Sequence, residues 1–514
     1  MRAILNVFMR ALFAFLLLVF AAQVPTYAKT ETGQLRGLWV DAYGPGFKSS
    51  EEVDTLIQDA LALNLNALFV QVVRRGDCYC LRSSLPVSED PALTPGFDPL
   101  ATLLERAHAA GLQVHAWVVT LALWGADTPP KSPEHIYNLH GPNAPGGESW
   151  LNLRYDGVTR PEADVYLDPG VPAVADYLVG ALVSLVQNYD LDGVTFDRLR
   201  YPDFNLNDAP SWGYNAVSLA RYAEETGAAG LPHPTDPLWT AWRRRQLSLL
   251  ERRLYLELKR VNPALWVGAA TIAYGAPPDV ASDAGFSESG AYRLVLQDWA
   301  GWLAEGFLDL NIPMNYKQLS DPRAALWFEG WNRYAGALAP GGVTATGLGL
   351  YQNASEDVQL QIAEIARTPG LAGWVGYSYR TPSAETDAGL ETPEAARAAL
   401  EPFLNTAPVE TAFGRPPPVT ALLGRVEANE AETVELLRAG RVVATARTDA
   451  AGVYGFALPA GTADGYMLRL TGGVAVPTPL RAGTVARAPT LTRSPTWYMA
   501  EEPTGEKTLG TSAY

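Results

Sequence analysis

The chain has 514 residues, 48% of them hydrophobic, and a formal net charge of −16. That length exceeds one ordinary domain and supplies a substantial core. The acidic balance excludes nucleic acid and anionic membrane surfaces as general partners, because both need clustered Lys and Arg.

In chain order, Arg2 and Arg10 make a basic start, an apolar run follows from Ala11 to Ala22, and "TYA" ends at Ala28. This is a signal-peptide pattern, too short for a comfortable membrane span. Residues 1–28 are therefore expected to be a signal peptide. The mature chain is expected to be secreted or periplasmic, at the cell envelope, with no transmembrane span after signal removal. A retained N-terminal anchor is the alternative. No Cys follows the apolar run, which argues against a lipoprotein anchor.

The first strand is "LRGLWVDAY" (35–43). Its helix opens with Ser49 and Glu52 as a capping box and puts Val53, Leu56, Ile57, Ala60 and Leu61 on one face. The second strand, "NALFVQVV" (66–73), precedes the only two cysteines, Cys78 and Cys80. Two positions apart, these are expected to be poorly placed to bridge each other. With no His beside them they make half a zinc site at best. The chain is read as having no disulfide scaffold, no metal and no cofactor.

The second helix starts at Asp98-Pro99 and stops at Gly111. The third strand is "LQVHAWVV" (112–119), and its helix begins near Pro172. The fourth is "DGVTFD" (192–197), followed by a helix from Asp236-Pro237. Strands "LWVGAATI" (265–272), "LDLNIPMNY" (308–316), "TATGLGLYQ" (344–352) and "LAGWVGYSY" (371–379) then alternate with further helices. The last of these starts at Thr392-Pro393. Within the fourth unit, "WRRRQLSLLERRLYLELKR" (242–260) reads as a solvated helix face, not a nucleic-acid patch.

Eight β-then-α units give an α/β class, a (β/α)8 TIM barrel over residues 33–406. The strands are continuous apolar runs, as strands buried on both faces are. A doubly wound sheet would usually carry a Gly-rich phosphate turn after its first strand, and "VDAYGPGF" lacks that spacing. Two long insertions follow the third and fourth strands, at the end where barrel enzymes build their sites. Pro-rich "GRPPPV" (414–419) marks a linker over 407–418. Residues 419–488 read as a small C-terminal all-β sandwich, and 489–514 as a disordered tail. The stretch "ARTDAAGVYGFALPAG" resembles the carboxypeptidase regulatory-like modules, which implies fold more than function.

If the barrel closes, strand ends share a mouth. The strands offer Asp41 and Tyr43, then Gln71 and Arg74, then His115 and Trp117. They go on to Asp197, Arg198, Arg200 and Tyr201, then Asn315 and Tyr316, then Tyr351 and Gln352. The last offers Trp374, Tyr377 and Tyr379. Carboxylates, amides and aromatic faces suit a polyhydroxylated ligand. No phosphate loop, Lys cluster or G-x-S-x-G elbow stands at these ends.

The blocks "LRGLWVDAY", "NALFVQVVRRGDCYC", "FDPLATLLERAHAAGLQVHAWVV", "YLDPGVPAVADYL", "YDLDGVTFDRLRYP" and "DLNIPMNY", in this order, resemble the bacterial glycosyl-hydrolase-like family 10 barrels. The resemblance implies a secreted glycosidase; members linked to an activity are similar to peptidoglycan glycan-strand hydrolases. It places Asp197 at the family's strongest acidic position. Arg198 stands where many members carry a second Asp. Gln71, Arg74, His115, Trp117 and Asp168 fall on matching positions.

Glycosidases usually need two carboxyls. Asp197 is expected to be one. A basic neighbour, Arg198 or Arg200, favours an ionised carboxylate, suited to nucleophile or base. Asp41 is taken as its partner, with Asp168, Glu148, Asp156 and Asp164 of the long third loop as alternatives. Gln71, Arg74, His115, Trp117, Asp168, Arg198, Arg200, Tyr201, Asn315, Tyr316, Trp374 and Tyr377 are expected to bind substrate. Plainer roles compete: His115 as a core histidine, Asp168 as a helix cap, Trp117, Trp374 and Tyr377 as core filling, Arg198 or Arg200 as a structural bridge. The expected function is an exported glycoside hydrolase acting on cell-envelope polysaccharide, peptidoglycan glycan strands included, with that polysaccharide as partner. A noncatalytic carbohydrate-binding barrel or an envelope scaffold is the alternative.

Overall fold

The computed structural model describes residues 33–492, apart from 145–147, 161–163, 280–284, 339–340, 407–412, 429, 459–464 and 479. The expected signal peptide and residues 493–514 of the expected tail lie outside the described residues.

Eight parallel strands close into a barrel. In ring order they are β1 (Leu35–Val40), β2 (Ala67–Val73), β3 (Gln113–Val119), β6 (Gly193–Asp197), β7 (Trp266–Ile272), β8 (Leu310–Met314), β9 (Val343–Gly349) and β10 (Leu371–Tyr377). Within the insertion after β3, β4 (Ala122–Trp124) and β5 (Val165–Tyr166) pair as a separate antiparallel ribbon. Asp98, Asp236, Asp321 and Thr392 cap helices that open with proline. Those side chains accept from main-chain N–H groups that the first turn leaves unpaired.

The apolar core has two layers. One fills the space between strands and helices, with Leu38, Val70, Val114, Phe196 and Leu254 among its members. The other fills the barrel itself, with Trp39, Phe69, Trp117, Trp266, Leu310 and Phe413. Phe413 lies on the stretch expected to be a linker. Its ring stacks on Trp266 at 4.8 Å, and Trp266 Nε1 donates to the Gly414 carbonyl at 2.9 Å. Gln113 Nε2 donates to the Phe413 carbonyl as well. The start of the described linker is thus a plug in the barrel floor, drawn in by burial of an aromatic ring.

Beyond it lies the all-β unit. β11 (Thr420–Glu427), β14 (Val453–Leu458), β17 (Val485–Arg487) and β18 (Leu491–Thr492) form one sheet. β12 (Thr433–Arg438), β13 (Arg441–Arg447), β15 (Tyr466–Leu470) and β16 (Val476–Pro477) form the other. Leu422, Val434, Leu436, Phe456 and Leu468 fill the space between them. Leu491 pairs with Val426, so ordered structure runs past the expected boundary at 488.

Two expectations need correction. Cys78 and Cys80 form a disulfide, with Cα atoms 5.1 Å apart, inside the usual span for such a bond. Cys78 is anchored by bridges to Val73 and Val87, and that curved backbone turns both side chains to the same buried side. The basic helix is not a solvated face either. Arg243, Glu251 and Lys259 are fully buried on the helix Pro237–Val261. The helix Pro172–Asn188 packs on one side and the sheet of β11, β14 and β17 on another. Arg253 meets Asp449 of that unit at 3.2 Å.

Both carboxylate oxygens of Glu251 are buried without a hydrogen-bond partner. Burial pushes this carboxyl well above its ordinary value. Below the unfolded-chain value of about 4.3 both states are protonated and the ionisation penalty is absent, leaving only the cost of burying an unpaired neutral carboxyl. As pH rises through that value, the unfolded chain ionises and the native chain does not, so stability falls. Glu251→Met is expected to raise stability at pH 7 by about 1–3 kcal/mol, the cost of an unpaired buried polar group. At pH 4 the gain should shrink. Denaturant unfolding at both pH values checks this; an equal or larger gain at pH 4 would refute the linkage.

Candidate active site

Strand side chains alternate, so positions two apart share the barrel interior. On β2 the inward residues are Phe69 and Gln71; on β3 they are His115, Trp117 and Val119; on β10 they are Val375 and Tyr377. At the C-terminal end of the strands these phases open a cavity of about 250 Å³. Strand residues Trp39, Gln71, Trp117, Val119, Asp197, Ala270, Met314 and Tyr377 line it, with Tyr43, Arg74, Arg75, Asp164, Arg198, Arg200 and Tyr316 from the segments that follow.

Asp197 ends β6. Its Oδ2 accepts from Trp117 Nε1 at 3.1 Å and its Oδ1 from the Arg198 main-chain N–H at 2.7 Å. Arg198 has φ of 51°, a left-handed conformation that non-glycine residues rarely adopt. The Arg198 guanidinium hydrogen-bonds elsewhere. Its Nη1 donates to Asp164 Oδ2 at 3.2 Å and to the Tyr166 hydroxyl at 2.9 Å. Arg75 Nε lies 3.3 Å from the other Asp164 oxygen. Arg200 turns to Asp203, at 2.5 Å. Neither the Arg198 nor the Arg200 guanidinium hydrogen-bonds Asp197, whose oxygens are held by an indole and a main-chain amide, but both interact with it electrostatically, as a basic neighbour was expected to. The β4–β5 ribbon is what carries Asp164, next to Val165, over the mouth.

Aromatic walls complete the site. Tyr316 and Tyr377 stack at 5.9 Å, and Trp117 meets Tyr377 edge-on at 6.1 Å. Burial raises the phenols of Tyr316 and Tyr377, so both stay neutral donors. Gln71 Oε1 accepts from the Ala42 N–H, which fixes the amide in the wall.

Gln71, Arg74, Trp117, Asp197, Arg198, Arg200, Tyr316 and Tyr377 thus stand together at the mouth as expected. Six expected site residues do not. Asp41 is buried beside the mouth, bound to Ser378 Oγ at 3.1 Å and paired with Arg380 at 3.2 Å; it braces the β1–β10 seam rather than facing the cavity. His115 has the right phase but lies one layer deeper, fully buried and stacked on Phe69 at 4.4 Å. Burial lowers its pKa to about 4. Asp168 is fully buried, accepting from Gly170 N and Ser218 Oγ, and burial raises its pKa to about 6. Val171, not Asp168, is the N-cap of the next helix. Tyr201 is buried behind the site, its main chain held by Val295. Asn315 and Trp374 are out of phase. Asn315 donates to Phe328 O and Asn332 Oδ1, and Trp374 packs in the outer layer against the helices.

Sequence reasoning passed over Arg75, although it adjoins Arg74, and treated Asp164 as one loop acid among several. Trp39, Val119, Ala270 and Met314 were also passed over, being apolar in apolar strands.

Residues 34–329 match the model of the Glycosyl hydrolase-like 10 family. The chain belongs to that family. Glycosyl hydrolase YngK of Bacillus subtilis is 24% identical over 62% of this chain and 61% of that protein. Glycosyl hydrolase DigH of Escherichia coli K12 is 25% identical over 49% of this chain and 55% of that protein. The chain thus spans less than two thirds of these relatives' length. The PgaB (BpsB) glycoside hydrolase domain from Bordetella bronchiseptica has 16% identity and a TM-score of 0.48, covering 71% of this chain and 99% of that one. Among the described residues no helix is long and apolar enough to cross a membrane, and no cluster of His, Cys, Asp and Glu is placed to hold a metal.

Proposed function

We propose that this chain is an exported glycoside hydrolase of cell-envelope polysaccharide, with peptidoglycan glycan strands as the leading candidate. Asp197 and Asp164 are its carboxylate pair. One observation carries the reading: two carboxylates, on separate elements and held by separate donors, face one aromatic-walled cavity. Glycosidic bonds are cleaved by such pairs, one carboxyl as acid and the other as nucleophile or base. Asp197, rooted in a barrel strand, supplies one of these two functions and Asp164 the other. Asp164, on the ribbon, replaces Asp41 as its partner. Trp39, Trp117, Tyr316 and Tyr377 offer apolar faces to sugar rings.

Family membership and the names of the relatives support the chemistry. The N-terminal sequence pattern supports export. So does the Cys78–Cys80 disulfide, which suits an oxidising compartment.

The test is incubation of the exported protein with purified envelope polysaccharides, glycan strands among them, followed by measurement of new reducing ends. Release from at least one is expected, and the anomeric form of the first product then assigns retaining or inverting chemistry. Binding without release from any of them would favour a noncatalytic carbohydrate-binding barrel.

A further inference from the structure

The chain is strongly acidic, yet four arginines, Arg74, Arg75, Arg198 and Arg200, line the cavity against two acids, Asp164 and Asp197. Arginine stays charged at any ordinary pH, and each guanidinium carries five N–H donors. The resident acids are shared out thinly. Asp164 is divided between Arg75 and Arg198. Asp90 is divided between Lys48 at 3.3 Å and Arg74 at 3.6 Å, and it also accepts from the Tyr79 hydroxyl at 2.8 Å. Arg200 has Asp203, but its Nε is buried without a partner.

Arg74 is the least satisfied of the four. Among the described residues it has one long ion pair and no hydrogen bond, and its Nε is buried without a partner. Its position is nonetheless fixed. The guanidinium carbon lies 5.8 Å from the Tyr43 ring centre and 5.5 Å from that of Tyr79. A held guanidinium with unused donors on a cavity wall suits a planar anion. A neutral sugar would leave that charge with only the long pair to Asp90, at 3.6 Å.

We propose that the cavity takes a saccharide bearing a carboxylate, and that Arg74 pairs with that carboxylate. The inference rests on the cavity being a saccharide site and adds the charge of its occupant. Arg75, Arg198 and Arg200 add to the positive field but are already committed to Asp164 and Asp203.

The probe is a set of carboxylated oligosaccharides, hexuronate- and muramate-containing, each paired with its own carboxyl-reduced, neutral form. Binding is measured calorimetrically in an Asp197→Asn background, so that turnover does not interfere. At least one acidic member is expected to bind about tenfold or more tightly than its reduced partner, as a charge-assisted hydrogen bond would give. Arg74→Gln should erase that preference, read as the ratio of the two affinities. Asp90 keeps Lys48 and Tyr79 in that variant, so the wall should stay folded; an unchanged unfolding midpoint confirms it. The proposal is overturned if no acidic member binds more tightly than its reduced form, or if the preference survives Arg74→Gln. Acid-selective binding with no hydrolysis by the wild type would sink the hydrolase reading and leave this one standing. Hydrolysis with equal affinity for both forms would do the reverse.

Discussion

Asp197→Asn is expected to lower kcat/KM for glycan cleavage by about a hundred- to ten-thousandfold, the usual worth of a positioned acid–base or nucleophilic carboxyl. The substitution preserves shape. The Asn carbonyl can still accept from Trp117 Nε1 or the Arg198 N–H, the donors that now reach Asp197. The barrel should therefore unfold as the wild type does. What disappears is the carboxyl that attacks or exchanges a proton. Asp164→Asn should behave differently. Asp164 is the anion that Arg75 and Arg198 share, so its loss should lower activity and also loosen the ribbon over the mouth. Initial rates of reducing-end release, read beside unfolding midpoints, separate the two. An Asp197→Asn protein with a rate near wild type would remove Asp197 from the mechanism.

Asp309→Ala is expected to cost about 3–5 kcal/mol of stability, the loss seen when one partner of a buried ion pair is removed. Lys259 Nζ and Asp309 Oδ2 lie 2.7 Å apart, with side chains 0% and 1% exposed. Asp309 also accepts from the Tyr255 hydroxyl at 2.9 Å and from the Val267 N–H at 3.0 Å. It thereby ties the helix Pro237–Val261 to the start of β7. Burial already lowers the Lys259 pKa, and Asp309 is what counters that effect. Without it the ammonium must lose its proton or draw water into the core. The double variant Lys259→Met with Asp309→Leu should recover only part of the loss: it removes the buried ammonium, but the Val267 N–H and the Tyr255 hydroxyl still lose Asp309 as acceptor. Equilibrium denaturation of the three proteins decides the matter. A loss below about 1 kcal/mol in Asp309→Ala would show that the pair is not sealed from solvent.

Much of this molecule is legible along the chain. Asp-Pro and Thr-Pro pairs mark helix starts because capping and the fixed proline φ are local effects. Continuous apolar runs mark barrel strands because both faces of each strand are covered. Alternation and capping together determine the barrel class and the place of Asp197 at a strand's C-terminal end. They also bring Gln71, Trp117, Tyr316 and Tyr377 to the same mouth.

The rest was decided in three dimensions. Strand phase and depth sort the mouth from its surroundings. Trp374 is one residue out of phase with Tyr377, and His115 is one layer below Trp117. A one-residue step changes the face and a two-residue step changes the layer, and an apolar run shows neither. The second carboxylate depended on how a long insertion folds back. Glu148, Asp156, Asp164 and Asp168 are equivalent in sequence, yet only the pairing of Ala122–Trp124 with Val165–Tyr166 sets Asp164 beside Arg75 and Arg198. Burial of the basic helix was likewise invisible, because the sheet that covers it starts more than a hundred residues later. What the sequence determined by itself is what neighbouring residues can enforce: caps, periods and the apolar runs of the barrel. Which charges meet was left to the fold, because an ion pair depends on distances that chain separation does not encode.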